Sequence, residues 1–280
     1  MTGALLRTGL SLVAAAIVLA SASPARAAAE RRYVDAHAVW LAPHAAVRLP
    51  ETASGPVPTA LLFHGCGGLR SMQEDYAAAL NAAGYGAIII DSMAPRGIGR
   101  AGAMTQVCTA LRLRGQARAA DVFAAVDLAR RTTGIDPDRL VLVGWSHGGW
   151  AILDALTFAA DGDLPPGLSA MPGLEGVQAA VLMYPYCSFP ARARRHSIDA
   201  GVAIDAVLAG RDLVASTADC RHVLERASDA GVTVSWEVWP GLTHAFDEPG
   251  NPDPRMQYDA EAARAAHQRL IGRLDELAAP

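Results

Sequence analysis

Short apolar runs of strand length recur along this chain at residues 59–63, 87–90, 141–143, 177–184, 204–209 and 232–238. Stretches whose apolar residues return at helical spacing lie between them, over residues 71 to about 83, 111–133, 150–158, 217–230 and 255–277. Gly84 and Gly134 predict the ends of the first two, Ser71-Met72-Gln73-Glu74 reads as a capping box, and Asp253-Pro254 reads as the head of the last. Residues 33–41 and a segment around Val47 predict an opening hairpin in a region punctuated by Pro43, Pro50 and Pro56. Residues 91–97 predict an irregular loop, and the Gly- and Pro-rich stretch 161–176 a surface excursion suited to shaping a cleft. Alternating strands and helices predict an α/β fold, a mostly parallel sheet covered on both faces, with its site at the carboxyl ends of the strands.

One junction carries chemistry. Between the strand 141–143 and the helix beginning near Trp150 stands Gly144-Trp145-Ser146-His147-Gly148, a G-x-S-x-G turn. A serine there is held in strained backbone geometry with Oγ projecting, and the glycines let strand and helix pass closely. The plain alternative is an ordinary glycine-rich turn.

A nucleophilic serine needs a base, and the base an orienting acid. Of eight histidines, His147 is too close to Ser146 to turn its ring onto Oγ, and His222 and His267 lie within helices. His37 and His44 fall in the uncertain start, and His196 in an arginine-rich segment with no strand before it. His244 follows a strand end downstream of both serine and acid, the order expected for this elbow. Asp212, closing the strand 204–209, is the acid; Asp205 falls inside that strand and Asp219 in the next helix. The oxyanion donors are expected to be the amides of His147 and of Cys66, in the turn His64-Gly65-Cys66-Gly67. Arg96 is a candidate for gripping a substrate carboxylate, against an internal salt bridge ordering its loop. Trp145, Trp150 and Tyr186 are candidates for the acyl pocket, against a role in the core.

Residues 1–27, with Arg7, an apolar core over 10–20 and Ala25-Arg26-Ala27, read as a secretory signal peptide, leaving one domain over 28–280. The core is shorter than the roughly 20 residues that span a bilayer, so no membrane anchor is expected. Cleavage removes two arginines and no acid, moving the formal charge from −4 to −6. That balance gives no electrostatic reason to bind nucleic acid. All 24 basic residues are arginine, which excludes a Ser-Lys dyad, a Schiff-base lysine and a Walker A loop. Cys66, Cys108, Cys187 and Cys220 are spaced too widely for a zinc site. In an exported chain they suggest disulfides with three possible connectivities, or else four buried thiols.

The strand followed by HGCGG, then DSMAPRG, GWSHGG, AGRD and PGLTHAFD in that order, resembles the dienelactone hydrolase-related branch of the α/β-hydrolases from about Thr59 to the C-terminus. The resemblance implies an eight-stranded, mostly parallel sheet and a triad of Ser146, Asp212 and His244. It also implies the pairings Cys66 with Cys108 and Cys187 with Cys220, because it makes the strands near them neighbours. Enzymes that open dienelactone itself carry cysteine at the elbow, so Ser146 points instead to a general serine esterase. The expected activity is cleavage of small carboxylic esters through an acyl-enzyme, without metal or organic cofactor, in a periplasmic or secreted protein. The alternatives are an acyltransferase or peptidase of the same fold, or a non-catalytic periplasmic binding protein. A binding role does not require serine, acid, histidine and oxyanion turn in this order.

Overall fold

The apolar runs of the sequence become the strands of one sheet in the computed structural model, which describes residues 31–278 apart from 171, 199 and 200. The segment expected to be a signal peptide lies outside the described residues. Seven strands, β1 (Ala45–Arg48), β2 (Val57–Phe63), β3 (Gly86–Ile90), β4 (Ile135–Trp145), β5 (Val177–Met183), β6 (Ala203–Ala209) and β7 (Val234–Trp239), lie in the order β1-β3-β2-β4-β5-β6-β7. β1 runs antiparallel to β3, and every other neighbouring pair is parallel. The helices are α1 (Val34–Leu41), α2 (Ser71–Ala82), α3 (Arg100–Gly102), α4 (Gly115–Arg131), α5 (His147–Asp161), α6 (Thr217–Asp229) and α7 (Ala260–Ala278).

Successive side chains of a strand point to opposite faces, so a strand covered on both must be apolar throughout. Leu61, Phe63 and Leu142 pack into one layer with α1, α4, α5 and α6; Leu62, Val141 and Val143 pack into the other with α2 and α7. This is the expected α/β-hydrolase architecture, with one strand fewer among the described residues than the eight that the resemblance implies.

The difference lies in the opening hairpin. Residues 33–41, expected as a strand, form α1, which lays His37, Ala38 and Leu41 on α4 while His37 Nε2 bonds Asp121 at 2.8 Å. The capping box also moves one residue earlier: the Arg70 amide donates to Gln73 Oε1 at 2.8 Å, making Ser71 the first helical residue. The 111–133 helix starts only at Gly115, where the chain passes so close to Trp150 that a Cβ would lie 2.3 Å from its ring. The terminal helix starts at Ala260 because Asp259, not Asp253, caps it, accepting from the amides of Glu261 and Ala262 at 3.0 and 2.9 Å. No described residue of the excursion 161–176 lines the cleft described below. The excursion joins the far end of α5 to the start of β5, at the sheet edge opposite Ser146, and buries Leu168 in the core.

Candidate active site

β4 ends at Trp145 and α5 begins at His147, so Ser146 alone makes the turn. Its φ of 51° and ψ of −110° are strained for a residue with a side chain. Hydrogen bonds hold the strain in place: the Ser146 amide donates to the Met183 carbonyl at 3.0 Å, and its own carbonyl accepts from the amides of Trp150 and Tyr186. The flanking glycines are required by contact. A Cβ on Gly148 would sit 1.9 Å from the Phe63 carbonyl oxygen, and one on Gly144 would sit 2.6 Å from the Gly149 nitrogen. Only glycine lets α5 start directly against the ends of β2 and β4.

Two neighbouring strand ends deliver the partners. The loop after β6 carries Asp212, and the loop after β7 carries His244; the Gly210 amide donates to the Trp239 carbonyl and the Arg211 amide to that of Leu242, tying the loops together. Asp212 Oδ1 accepts from the amides of Val214 and Ala215, both at 2.8 Å, which leaves Oδ2 facing His244 Nδ1 at 2.7 Å. His244 Nε2 in turn lies 2.8 Å from Ser146 Oγ. These partners select the tautomer with its proton on Nδ1 and a lone pair toward the serine hydroxyl. Behind the relay, the Tyr184 ring stands edge-on to His244 at 4.8 Å between centroids. The Tyr184 hydroxyl donates to Asp247, a buried carboxylate that also accepts from Tyr76 at 2.7 Å and from the Trp145 indole at 3.0 Å. Burial raises the Asp247 pKa, while the three donors oppose that rise.

Ser146 and His244 open into a cleft of about 120 Å³. The turn after β2 forms one wall, so close that a Cβ on Gly65 would lie 3.7 Å from that of Ser146. Cys66 in this turn is disulfide-bonded to Cys108, which also lines the cleft. The second disulfide, Cys187 to Cys220, joins the loop after β5 to α6. The His147 amide sits in the first turn of α5, where a helix supplies no acceptor of its own. The His147 ring turns away from Ser146 Oγ toward Trp150 and Arg118; burial, then the Arg118 charge, pushes its pKa down to about 3.

Four pocket expectations fare differently. Trp150 is buried, its indole N–H donating to Asp154 at 2.6 Å, and does not line the cleft. Trp145 does line the cleft, with its indole N–H committed to Asp247. Arg96 does not: its guanidinium grips Asp121 with two bonds of 2.9 Å and the Ser92 carbonyl with one of 2.6 Å. Asp121 is fully buried, so the fold itself demands that arginine, and the internal salt bridge is the role observed. Tyr186 also faces elsewhere, its hydroxyl donating to the Phe189 carbonyl at 2.6 Å while its ring packs on Trp150. The cleft is completed instead by Met72, Met104, Met256, Arg70 and Arg100, none singled out by the sequence. They come from the turn after β2 and the start of α2, from the long connection after β3 and from the segment before α7, and the one signal for them is the rule that such connections surround the site.

The sequence matches the model of the dienelactone hydrolase family over residues 44–277. A search of curated proteins found no match. Among solved structures, dienelactone hydrolase from Anabaena variabilis is similar at 21% identity and a TM-score of 0.53, covering 81% of this chain and 88% of that one. A propionate-bound thermophilic esterase from Thermogutta terrifontis is similar at 17% identity and 0.59, covering 83% and 87%. A dienelactone hydrolase-like promiscuous phosphotriesterase from metagenomic libraries is similar at 16% identity and 0.60, covering 84% and 99%. At such identities the structural likeness speaks for the fold alone. The family model spans most of the sequence, including the elbow and both partner loops, and the chain belongs to the dienelactone hydrolase family.

Proposed function

We propose that this chain is an exported serine esterase acting on small carboxylic esters. The observation that carries the reading is the relay from Ser146 Oγ through His244 to Asp212, with links of 2.8 and 2.7 Å, at the foot of an open cleft. Ser146 Oγ attacks the ester carbonyl as His244 Nε2 takes its proton, and Asp212 holds the imidazole and stabilises its charged form. The tetrahedral oxyanion is met by the amides of Cys66 and His147, each worth about 100- to 1000-fold in kcat. His244 then gives its proton to the departing alcohol, and water, activated by the same histidine, releases the acid from Ser146. Met72, Met104 and Met256 give the cleft a polarizable, adaptable apolar lining, which favours tolerance of acyl shape. Two disulfides suit an oxidising compartment, and no helix among the described residues is long and apolar enough to cross a membrane.

The test is hydrolysis of p-nitrophenyl esters from acetate to octanoate by the chain from Ala28. Ser146→Ala and His244→Ala are each expected to lower kcat by about a millionfold, and Asp212→Asn by about ten-thousandfold. A folded wild-type protein inert toward the whole series, or a Ser146→Ala variant as active as wild type, ends the esterase reading.

A further inference from the structure

Beneath the elbow lies a buried cation that the relay does not use. Arg118, on α4, has no exposed surface, and its charge is not spent on a hydrogen-bonded carboxylate. Its Nε donates to Ser92 Oγ at 2.9 Å, and its Nη1 donates to the His64 carbonyl at 2.7 Å while lying 3.3 Å from His147 Nδ1. Asp121, the nearest acid on the same helix, is engaged by Arg96 and His37, and Arg118 Nη2 has no hydrogen-bond partner. Burying a guanidinium in this way is costly, and an apolar side chain of similar volume would fill the space without that cost.

Of the two residues that Nη1 touches, one carries an oxyanion donor and the other orients the second. His147 supplies one amide directly. His64 controls the other: its Nδ1 donates to the Gly65 carbonyl at 2.7 Å, and that carbonyl shares a peptide plane with the Cys66 N–H. Because N–H and C=O of a trans peptide point in opposite directions, fixing one aims the other. The Ser92 amide, 3.3 Å from His64 Nε2, completes the orientation of that ring, and Ser92 Oγ is itself held by Arg118.

We propose that Arg118 is a positioning residue of the oxyanion hole, tying the turn that carries Cys66 to the elbow that carries His147 through a single guanidinium nitrogen. The inference rests on the esterase reading and adds to it a residue with no contact to substrate. The surrounding charges agree with it. Burial, opposed by Asp121 and Asp91 and reinforced by Arg96, lowers the Arg118 pKa to about 10, so it is charged at neutral pH. Burial first and Arg118 second keep His64 well below the ordinary histidine range, so both rings stay neutral and can bond as described.

The experiment compares Arg118→Gln and Arg118→Lys with wild type, using kcat and KM for a short p-nitrophenyl ester. It adds two inhibitors of one shape: a trifluoromethyl ketone, which forms a tetrahedral oxyanion on Ser146, and the corresponding alcohol, which does not. Arg118→Gln is expected to lose about 10- to 100-fold in kcat with KM nearly unchanged, and to bind the ketone more weakly by the same factor. Binding of the alcohol should not move, and lysine should restore part of the loss. Equal weakening of both inhibitors, or an unchanged kcat, overturns the proposal. A readout independent of activity is the imidazole titration of His147 by NMR, expected to stay neutral to at least pH 4 in wild type and to titrate at higher pH in Arg118→Gln. If Arg118→Gln does not fold, the wild-type titration and the lysine variant still decide: a His147 that protonates at ordinary pH refutes the contact. A wild type that cleaves no ester defeats the esterase reading; an active wild type matched by Arg118→Gln defeats this inference alone.

Discussion

Gly148→Ala adds one methyl at the point where three parts of the site converge. The new Cβ would lie 1.9 Å from the Phe63 carbonyl oxygen and 2.9 Å from that of His64, where ordinary contact begins at 3.4 Å. Neither acceptor can swing aside. Phe63 is the last residue of a central strand, paired with Ile90 on one side and Gly144 on the other, and the His64 carbonyl is held by Arg118. Relief therefore requires the start of α5 to move away from β2 by about 1.5 Å, a shift that carries Ser146 and the His147 amide with it. Overpacking of this kind costs about 3 kcal/mol, or roughly 6–12 °C in Tm for a chain of this size. Displacing reacting groups by about 1 Å costs on the order of 100-fold in kcat. Thermal unfolding under oxidising conditions and p-nitrophenyl butyrate hydrolysis measure the two effects. Gly65→Ala is the control for stability, since its Cβ would meet Ser146 Cβ at an ordinary 3.7 Å and its Tm should stay near that of wild type. A Gly148→Ala protein with wild-type Tm and kcat would refute the claim that close approach, and not chance, puts glycine at this position.

The two disulfides close loops of similar length, with sequence separations of 42 and 33, so losing either should cost about 4 kcal/mol by the loop-entropy relation. Of the four cysteines only Cys66 carries a proposed oxyanion amide, so Cys108→Ser should also lower kcat while Cys220→Ser leaves the kcat of the folded fraction unchanged; equal kcat in both variants would separate the disulfide from the site. Arg96→Met should leave KM for a carboxylate-bearing ester unaltered, because Arg96 faces Asp121 and not the cleft, but should destabilise the fold by about 3–5 kcal/mol at neutral pH. Burial alone would raise the Asp121 pKa, yet Arg96 and His37 outweigh it and hold the carboxyl well below its ordinary value. The wild-type contribution is therefore present above about pH 4 and is lost as pH falls through the lowered value, so the gap between variant and wild type in denaturant melts should narrow in acid. A gap that widens in acid would reverse that sign.

What could be read from the sequence was local. The elbow is five residues between a strand and a helix, and His244 and Asp212 were reachable because strand ends and chain order restrict where partners can stand. The opening helix was not reachable, since 34–41 is nearly continuous in apolar residues apart from Asp35 and His37, and what makes it helical is docking of His37, Ala38 and Leu41 on a helix some 80 residues later. Arg96 shows the same limit: its loop pointed toward the site, but the buried carboxylate that claims it lies 25 residues away.

Arg118 is the sharpest instance, because nothing around it signals burial. An arginine in Gly115-Gln116-Ala117-Arg118-Ala119 reads as part of a solvated helix face, the role most helical arginines have. Its position follows only once β2, β4 and α4 are assembled, and its three bonded neighbours come from the end of β2, the loop after β3 and the first turn of α5. The relay groups are legible because a local motif, strand ends and chain order restrict where they can stand, whereas the groups that hold them are fixed by the fold. A substitution series confined to the motifs would therefore leave untouched the one buried guanidinium nitrogen that reaches both His64 and His147.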